Sequence, residues 1–325
     1  MKLLHSLVLP ALCCLPLLGA SALAQPIALV SSEKDNALAV IDLDTLRVRS
    51  SIATCKRPRH MLITPDRRQL LVACGDDNAA DLIDLKTFKS LARIPLSDSP
   101  EVFDISHDGK TLYVSSEDES ELSVFDLASG KKLAGIEVGN EPEGVLLSPD
   151  GKTIYVASEV ASMVHVIDVA SRKVIKNIVV GKRPRRFVLA AQGRELWVTN
   201  ELGASISIID TRSLQIIDTL HFELKGARAS DITPVGITLS PDGRTAFVAL
   251  GAANHVAFVD VARRKTTHQV LVGKRAWNVA TNRSGTRLFV VNGLSDDLTV
   301  VDVAAAKALK SIPVGRVPYG VLVLD

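Results

Sequence analysis

EGVLLSPDGKTIYVASEVASMVHVIDVASRKVIKNIVVGKRP, residues 143–184, is one copy of a unit repeated almost from end to end of a 325-residue chain. The aspartate closing each V-I-D-like run serves as the ruler. Asp42, Asp84, Asp126, Asp168, Asp210, Asp260 and Asp302 are spaced 42, 42, 42, 42, 50 and 42 residues apart. A period of about 40–45 residues rich in short strands marks a β-propeller blade. Within the copy, apolar runs at 144–147, 153–158, 164–169 and 174–180 are separated by turn chemistry. Ser148-Pro149-Asp150-Gly151 is a tight reversal in which Gly151 can take φ > 0 without a Cβ clash. Asp168 is placed to accept backbone N–H bonds from its own turn. The unit therefore reads as a four-stranded antiparallel meander.

The middle strands, Ile154-Tyr155-Val156-Ala157 and Val164-His165-Val166-Ile167, are apolar on both faces. A sheet with one wet face would alternate instead. With no helical segment to cover them, neighbouring blades must pack face to face. The fourth run, 173–178, is more polar, as an outermost strand should be. The chain ends in YGVLVLD, residues 319–325, which matches only a first strand, whereas Ile27-Ala28-Leu29-Val30 matches a second strand. These halves predict an all-β, seven-bladed β-propeller whose ring is closed by the C-terminal strand joining the N-terminal blade.

The first 24 residues are of another kind. Lys2 precedes an apolar run from Leu3 to Leu18, and Ala22-Leu23-Ala24 offers a cleavage site before Gln25. Pro10 and Pro16 interrupt the run and no stop-transfer segment follows, so it reads as a secretory signal peptide and not a membrane span. A lipid anchor at Cys13 or Cys14 is the minor alternative, because Leu12 and Cys13 match a lipoprotein site poorly. The expected organisation is a signal peptide over 1–24 and a propeller over 25–325, in the periplasm or secreted. Cleavage removes only Lys2 from 38 basic residues against 36 acidic ones, a balance that argues against nucleic acid or anionic lipid as partner. Cys55 and Cys74 remain, on strand ends that project to one face of the ring. Export favours a disulfide between them, with two partly buried thiols as the alternative.

In a repeat protein, the positions at which copies differ are the informative ones. Just after the V-G-x-x-P link come Arg59, Glu101, Glu143, Arg185, Val235, Trp277 and Tyr319, all placed by the period around one mouth of the central channel. The next position is small in Gly144, Gly236 and Gly320 but is His60, Arg186 and Asn278 elsewhere. Arginines, carboxylates and aromatics around a concave mouth form a recognition surface. Lys56-Arg57, Lys182-Arg183 and Lys274-Arg275 precede it, pointing to a small anionic ligand or an acidic partner. A second ring on the same face is Glu33, Gly75, Glu117, Glu159, Glu201, Gly251 and Gly293. Its glutamates either pair with Arg59 and Arg185 or are, as surface carboxylates usually are, solvated. The longer link, HFELKGARASDITP between Leu220 and Val235, is either a binding loop or a surface excursion. The histidines show no metal-ligand spacing, there is no C-x-x-C-H, and no G-x-S-x-G, P-loop or Rossmann fingerprint occurs. Trp197, in a buried strand, reads as blade-to-blade packing.

The recurring S-P-D-G-K-T-h-Y-V-x-S/N, V-h-V-I-D and I-x-V-G-x-x-P, fullest in 148–158, 164–168 and 178–184, resemble the YVTN repeat of secreted and periplasmic propellers. Glu33-Lys34-Asp35-Asn36, Phe222-Glu223-Leu224, Pro234-Val235-Gly236-Ile237 and the run 246–251 are similar to propellers associated with PQQ-dependent alcohol catabolism. That resemblance implies a neighbourhood of quinoprotein dehydrogenases and a transport system. It carries no catalytic residues and no bound cofactor. PQQ itself is not implied, since quinoprotein dehydrogenases have a Trp-rich propeller signature and this chain has 2 tryptophans. The expected function is a non-catalytic periplasmic propeller binding a partner protein or small ligand. Two alternatives stay open: a lactonase- or lyase-like enzyme using Glu101, Glu143 and His60, and a non-covalent haem carrier using His60 beside Arg59 and Arg185.

Overall fold

The computed structural model describes residues 25–325; the expected signal peptide, with Cys13 and Cys14, lies outside the described residues. Seven four-stranded sheets are arranged as the period predicts. Blade 4 is typical: strands Pro142–Leu147, Thr153–Ser158, Met163–Asp168 and Lys173–Val179 pair antiparallel in sequence order. Both middle strands are buried almost throughout, whereas the outermost buries only Ile178 fully. Val156, Val164, Val166 and Ile154 are wholly shielded from solvent. Burying each such side chain stabilises the fold by about 1.5–3 kcal/mol, and the cover comes from the adjacent blades. Trp197, fully buried, packs with Ile206 and Ile208 of its own blade and Ala246 and Val248 of the next.

Blade 1 is the splice. Its sheet order is Pro318–Leu324, Ile27–Ser32, Ala37–Asp42, Arg47–Ala53, with Ile27 opposite Leu324 and Val30 opposite Val321. The closing strand brings this blade to the same four strands as the other six. Blades 2 to 7 follow as 58–95, 100–137, 142–179, 184–221, 237–271 and 276–313.

The meander gives the ring two unlike faces. On the turn face, Asp168 Oδ1 accepts hydrogen bonds from the Ser171 N–H (2.8 Å) and hydroxyl (2.6 Å). Asp42, Asp84, Asp126, Asp210, Asp260 and Asp302 cap their own turns through the N–H three residues on. Gly151, at φ +70°, completes the other reversal on this face. On the link face, Cys55 and Cys74 form a disulfide with Cα atoms 5.5 Å apart, tying blade 1 to blade 2. The longer link is anchored there too: Phe222 and Ile232 are buried in the core between blades 5 and 6, and a 3-10 turn, Ala229–Asp231, lies between them. Among the described residues, no helix is long and apolar enough to cross a membrane.

Candidate functional site

Six of the seven innermost strands carry an irregularity at the link face. In blade 4, Pro142 pairs with Ser158 and Val145 with Val156, which leaves Glu143 and Gly144 set off the ladder. The same shift displaces Arg59 and His60, Glu101 and Val102, Arg185 and Arg186, Trp277 and Asn278, and Tyr319 and Gly320. A bulge of this kind re-aims side chains at a strand end. Five of these strands open with proline (Pro58, Pro100, Pro142, Pro184, Pro318), a residue suited to a first strand position because it has no N–H to offer the ladder.

The bulged residues meet in one buried ionic lattice across the channel mouth. Arg59 Nε donates to Glu33 Oε1 (2.8 Å), and its guanidinium also engages Glu101. Arg186 donates to both Glu143 and the Tyr319 hydroxyl, and that hydroxyl donates to Glu101 Oε2 (3.1 Å). Arg185 engages Glu159 and lies 3.3 Å from Glu143 Oε1. Arg183 Nε sits 2.6 Å from Glu159 Oε2 and 3.1 Å from Glu201 Oε2. The aromatics form the rest of the wall. Arg59 lies over the Tyr319 ring at 4.9 Å, and Arg185 and Arg275 lie over the Trp277 ring at 5.0 and 4.6 Å.

Glu33, Glu159 and Glu201 are therefore not solvated loop carboxylates, the reading that surface frequencies favour. Glu159 is only 6 % exposed and Glu201 9 %, each with the guanidiniums of Arg183 and Arg185 beside it. Burial alone would push the Glu143 carboxyl up, but Arg185, Arg186 and Arg59 outweigh it and hold it down at about 2. Arg59, Arg185 and Arg186 consequently spend their charge on the protein's own glutamates.

Behind the lattice runs the central tunnel, a cavity of about 400 Å³. Its wall is mostly apolar, including Met61, Leu62, Phe103 and Phe187, with His60, Asp104, Arg186 and Asn278 as polar exceptions. Asn278 Nδ2 donates to the Tyr319 carbonyl (3.0 Å), pinning the closing strand to blade 7. His60 packs edge-on against Phe103, with centroids 5.1 Å apart, and its Nδ1 is buried without a partner. Burial, reinforced by Arg186, pushes the imidazole down to about 3, so it is neutral at ordinary pH. Asp104 was not singled out by the sequence reading. Its Oδ2 accepts the Leu147 N–H of the next blade (2.8 Å), and burial pushes its carboxyl up. The signal was present: the equivalent positions in the other copies are Leu62, Leu146, Val188, Thr238, Ala280 and Leu322, none of them charged.

His165 accepts the Gly139 N–H (3.0 Å) and bonds Asn177 (2.7 Å) within its blade. Among the described residues, no group of three His, Cys, Asp or Glu side chains is placed to hold a metal ion.

Comparison with solved structures places this ring among β-propellers. Hydrazine synthase of Kuenenia stuttgartiensis superposes with a TM-score of 0.77 at 23 % identity, over 85 % of this chain and 92 % of that one. The periplasmic gluconolactonase PpgL of Pseudomonas aeruginosa gives 0.77 at 20 % identity, over 92 % and 99 %. The dihydro-heme d1 dehydrogenase NirN gives 0.70 at 17 %, over 92 % and 75 %. At these identities the likeness is one of fold alone. No curated protein matches the sequence. A family profile described as the Choice-of-anchor I domain matches residues 60–292, from the bulge of blade 2 to the end of the second strand of blade 7, and the chain belongs to that family.

Proposed function

We propose that this chain is an exported, non-catalytic propeller, directed outward by residues 1–24, that uses its link face to bind a partner protein or small ligand in a PQQ-dependent alcohol-oxidation system. The observation that carries the non-catalytic part is the pairing of the mouth's ionisable groups. Glu101 and Glu143, the carboxylates an acid–base mechanism would draw on, are engaged by Arg59 and Arg186. A general base must be free to take a proton at working pH, and Glu143 is committed as a carboxylate to three guanidiniums. What remains is a rigid, pre-organised face, which suits recognition. The link to alcohol oxidation rests on the resemblance in 33–36, 222–224, 234–237 and 246–251.

The periplasmic gluconolactonase among the structural neighbours gives the enzyme reading its one specific support. On this chain it would have to use the tunnel, where His60 and Asp104 are polar groups outside the ionic lattice. NirN lends the haem reading the same fold-level support, but His60 Nδ1 is buried and its ring is packed against Phe103.

Deleting the gene tests the proposal. Growth on alcohols should slow while growth on other carbon sources stays normal, and the intact gene should restore it. Unimpaired growth on alcohols would remove the accessory role. Charge reversal at Arg59 and Arg185 is a poor substitute, because both are buried in the lattice and their loss would disturb folding before binding.

A further inference from the structure

The lattice is incomplete in one sector. Arg183, on the link into blade 5, is flanked by Glu201 of its own blade and Glu159 of the preceding one. Arg275 occupies the same place on the link into blade 7, as the backbone shows: Glu201 N donates to the Arg183 carbonyl, and Gly293 N to the Arg275 carbonyl. Its two flanking positions are Gly293 and Gly251. Where Arg183 has two carboxylates, Arg275 has none within 4 Å among the described residues.

The two glycines differ in kind. Gly251 has φ +50°, and a Cβ there would strike Thr233, so the backbone demands glycine. Gly293 has no positive φ, and the nearest atom to an added Cβ is the Pro318 carbonyl oxygen at 3.7 Å. Nothing in the fold excludes a side chain at 293. Its absence opens a cavity of about 150 Å³ walled by Arg275, Trp277, Leu294, Pro318 and Tyr319, with the Glu33–Arg59 pair at its side.

We propose that this cavity binds a small monocarboxylate whose carboxylate stands in for the glutamate that the repeat supplies to Arg183. The Arg275 guanidinium sits over the Trp277 ring at 4.6 Å, and its N–H groups, which engage no carboxylate among the described residues, can take a bidentate oxygen pair. A second unmatched donor, the buried Trp277 Nε1–H, lies in the same wall. Leu294, Pro318 and Tyr319 offer apolar surface to a short aliphatic tail. The small volume sets the limit on that tail. The inference deepens the binding reading of the link face and rests on it.

The chain's own fluorescence reads the site, since of its two tryptophans Trp197 is sealed in the core and Trp277 lines the cavity. Purified protein is titrated with butyrate at constant ionic strength, with 1-butanol and butyramide as neutral controls. Butyrate should give a saturable change that the controls do not. Arg275→Gln should weaken binding by at least about tenfold. Gly293→Glu, which restores the repeat's internal pairing, should abolish it without lowering Tm. An equal response to butanol, or parent-like binding by both variants, would overturn the assignment. The titration needs no cells, so its failure and a silent gene deletion are separate results.

Discussion

The two faces of this ring are built from the same seven repeats and have opposite characters. On the turn face each copy solves its own problem: an aspartate caps the turn that follows it, within four residues, and the solution recurs from Asp42 to Asp302. On the link face no copy is self-sufficient. Arg186 reaches Tyr319 from 133 residues away, and Tyr319 reaches Glu101 across 218. Local, repeated chemistry marks the scaffold, and long-range chemistry that differs between copies marks the part specific to this protein.

The largest test of that contrast is removal of residues 319–325, which takes away the closing strand and the tyrosine at the hub of the lattice. Thermal unfolding followed by circular dichroism should lose its cooperative transition, and a truncated chain that melts like the parent would break the architecture. Glu143→Ala comes next. It leaves Arg185 and Arg186 buried with one carboxylate fewer and should cost about 3–5 kcal/mol in urea unfolding; a loss under about 1 kcal/mol would mean the lattice is solvated after all. Replacing both Cys55 and Cys74 with serine should cost roughly 3 kcal/mol in the chain-entropy picture, since the bridge spans a sequence separation of 19.

Acid sharpens the comparison further. His60 takes up a proton at 6.5 in the unfolded chain but only at about 3 in the folded one. Its contribution is complete above 6.5 and is lost as pH falls toward 3. Glu143, moved from 4.5 to about 2, adds a second loss that starts near 4.5. Between pH 6.5 and 4.5 the His60 share amounts to at most about 1.4 kcal/mol per pH unit. His60→Leu should flatten the urea midpoint across that window and leave the fall below 4.5 in place. The smallest effect belongs to the turn face. Asp168→Asn should shift Tm by no more than about 2 °C, and a larger shift would show that the repeated turns are not the independent units they look like.

The fold was legible because its determinants are periodic. Seven aspartates, five of whose six gaps are 42 residues, fix the blade count, the doubly apolar middle strands imply blades stacked on one another, and the half-repeats at the two ends imply the splice. The bulged positions could be picked out for the same reason, as the places where the period holds but the residue changes. What could not be read is how those residues meet. Nothing in one copy states that Arg186 crosses the mouth to Tyr319, since that depends on the rotation accumulated between blades. The sequence leaves the pairing of Glu159 and Glu201 open, because a glutamate at a strand end is solvated unless an arginine from another blade arrives beside it. Asp104 is legible as the one charge in its row, but it belongs to the tunnel wall and not to the mouth.

Because Pro318–Leu324 completes the first sheet, the first strand of the ring is the last to find its partner. Until Pro318–Leu324 arrives, Ile27–Ser32 presents a bare row of peptide groups, the kind of edge that recruits other chains. A product stalled or clipped before residue 318 would leave that border of Ile27–Ser32 unpaired, whereas pairing with Pro318–Leu324 covers it. The closing strand thus ties two distant stretches of chain into one check: only a chain made through residue 324 can cover Ile27–Ser32.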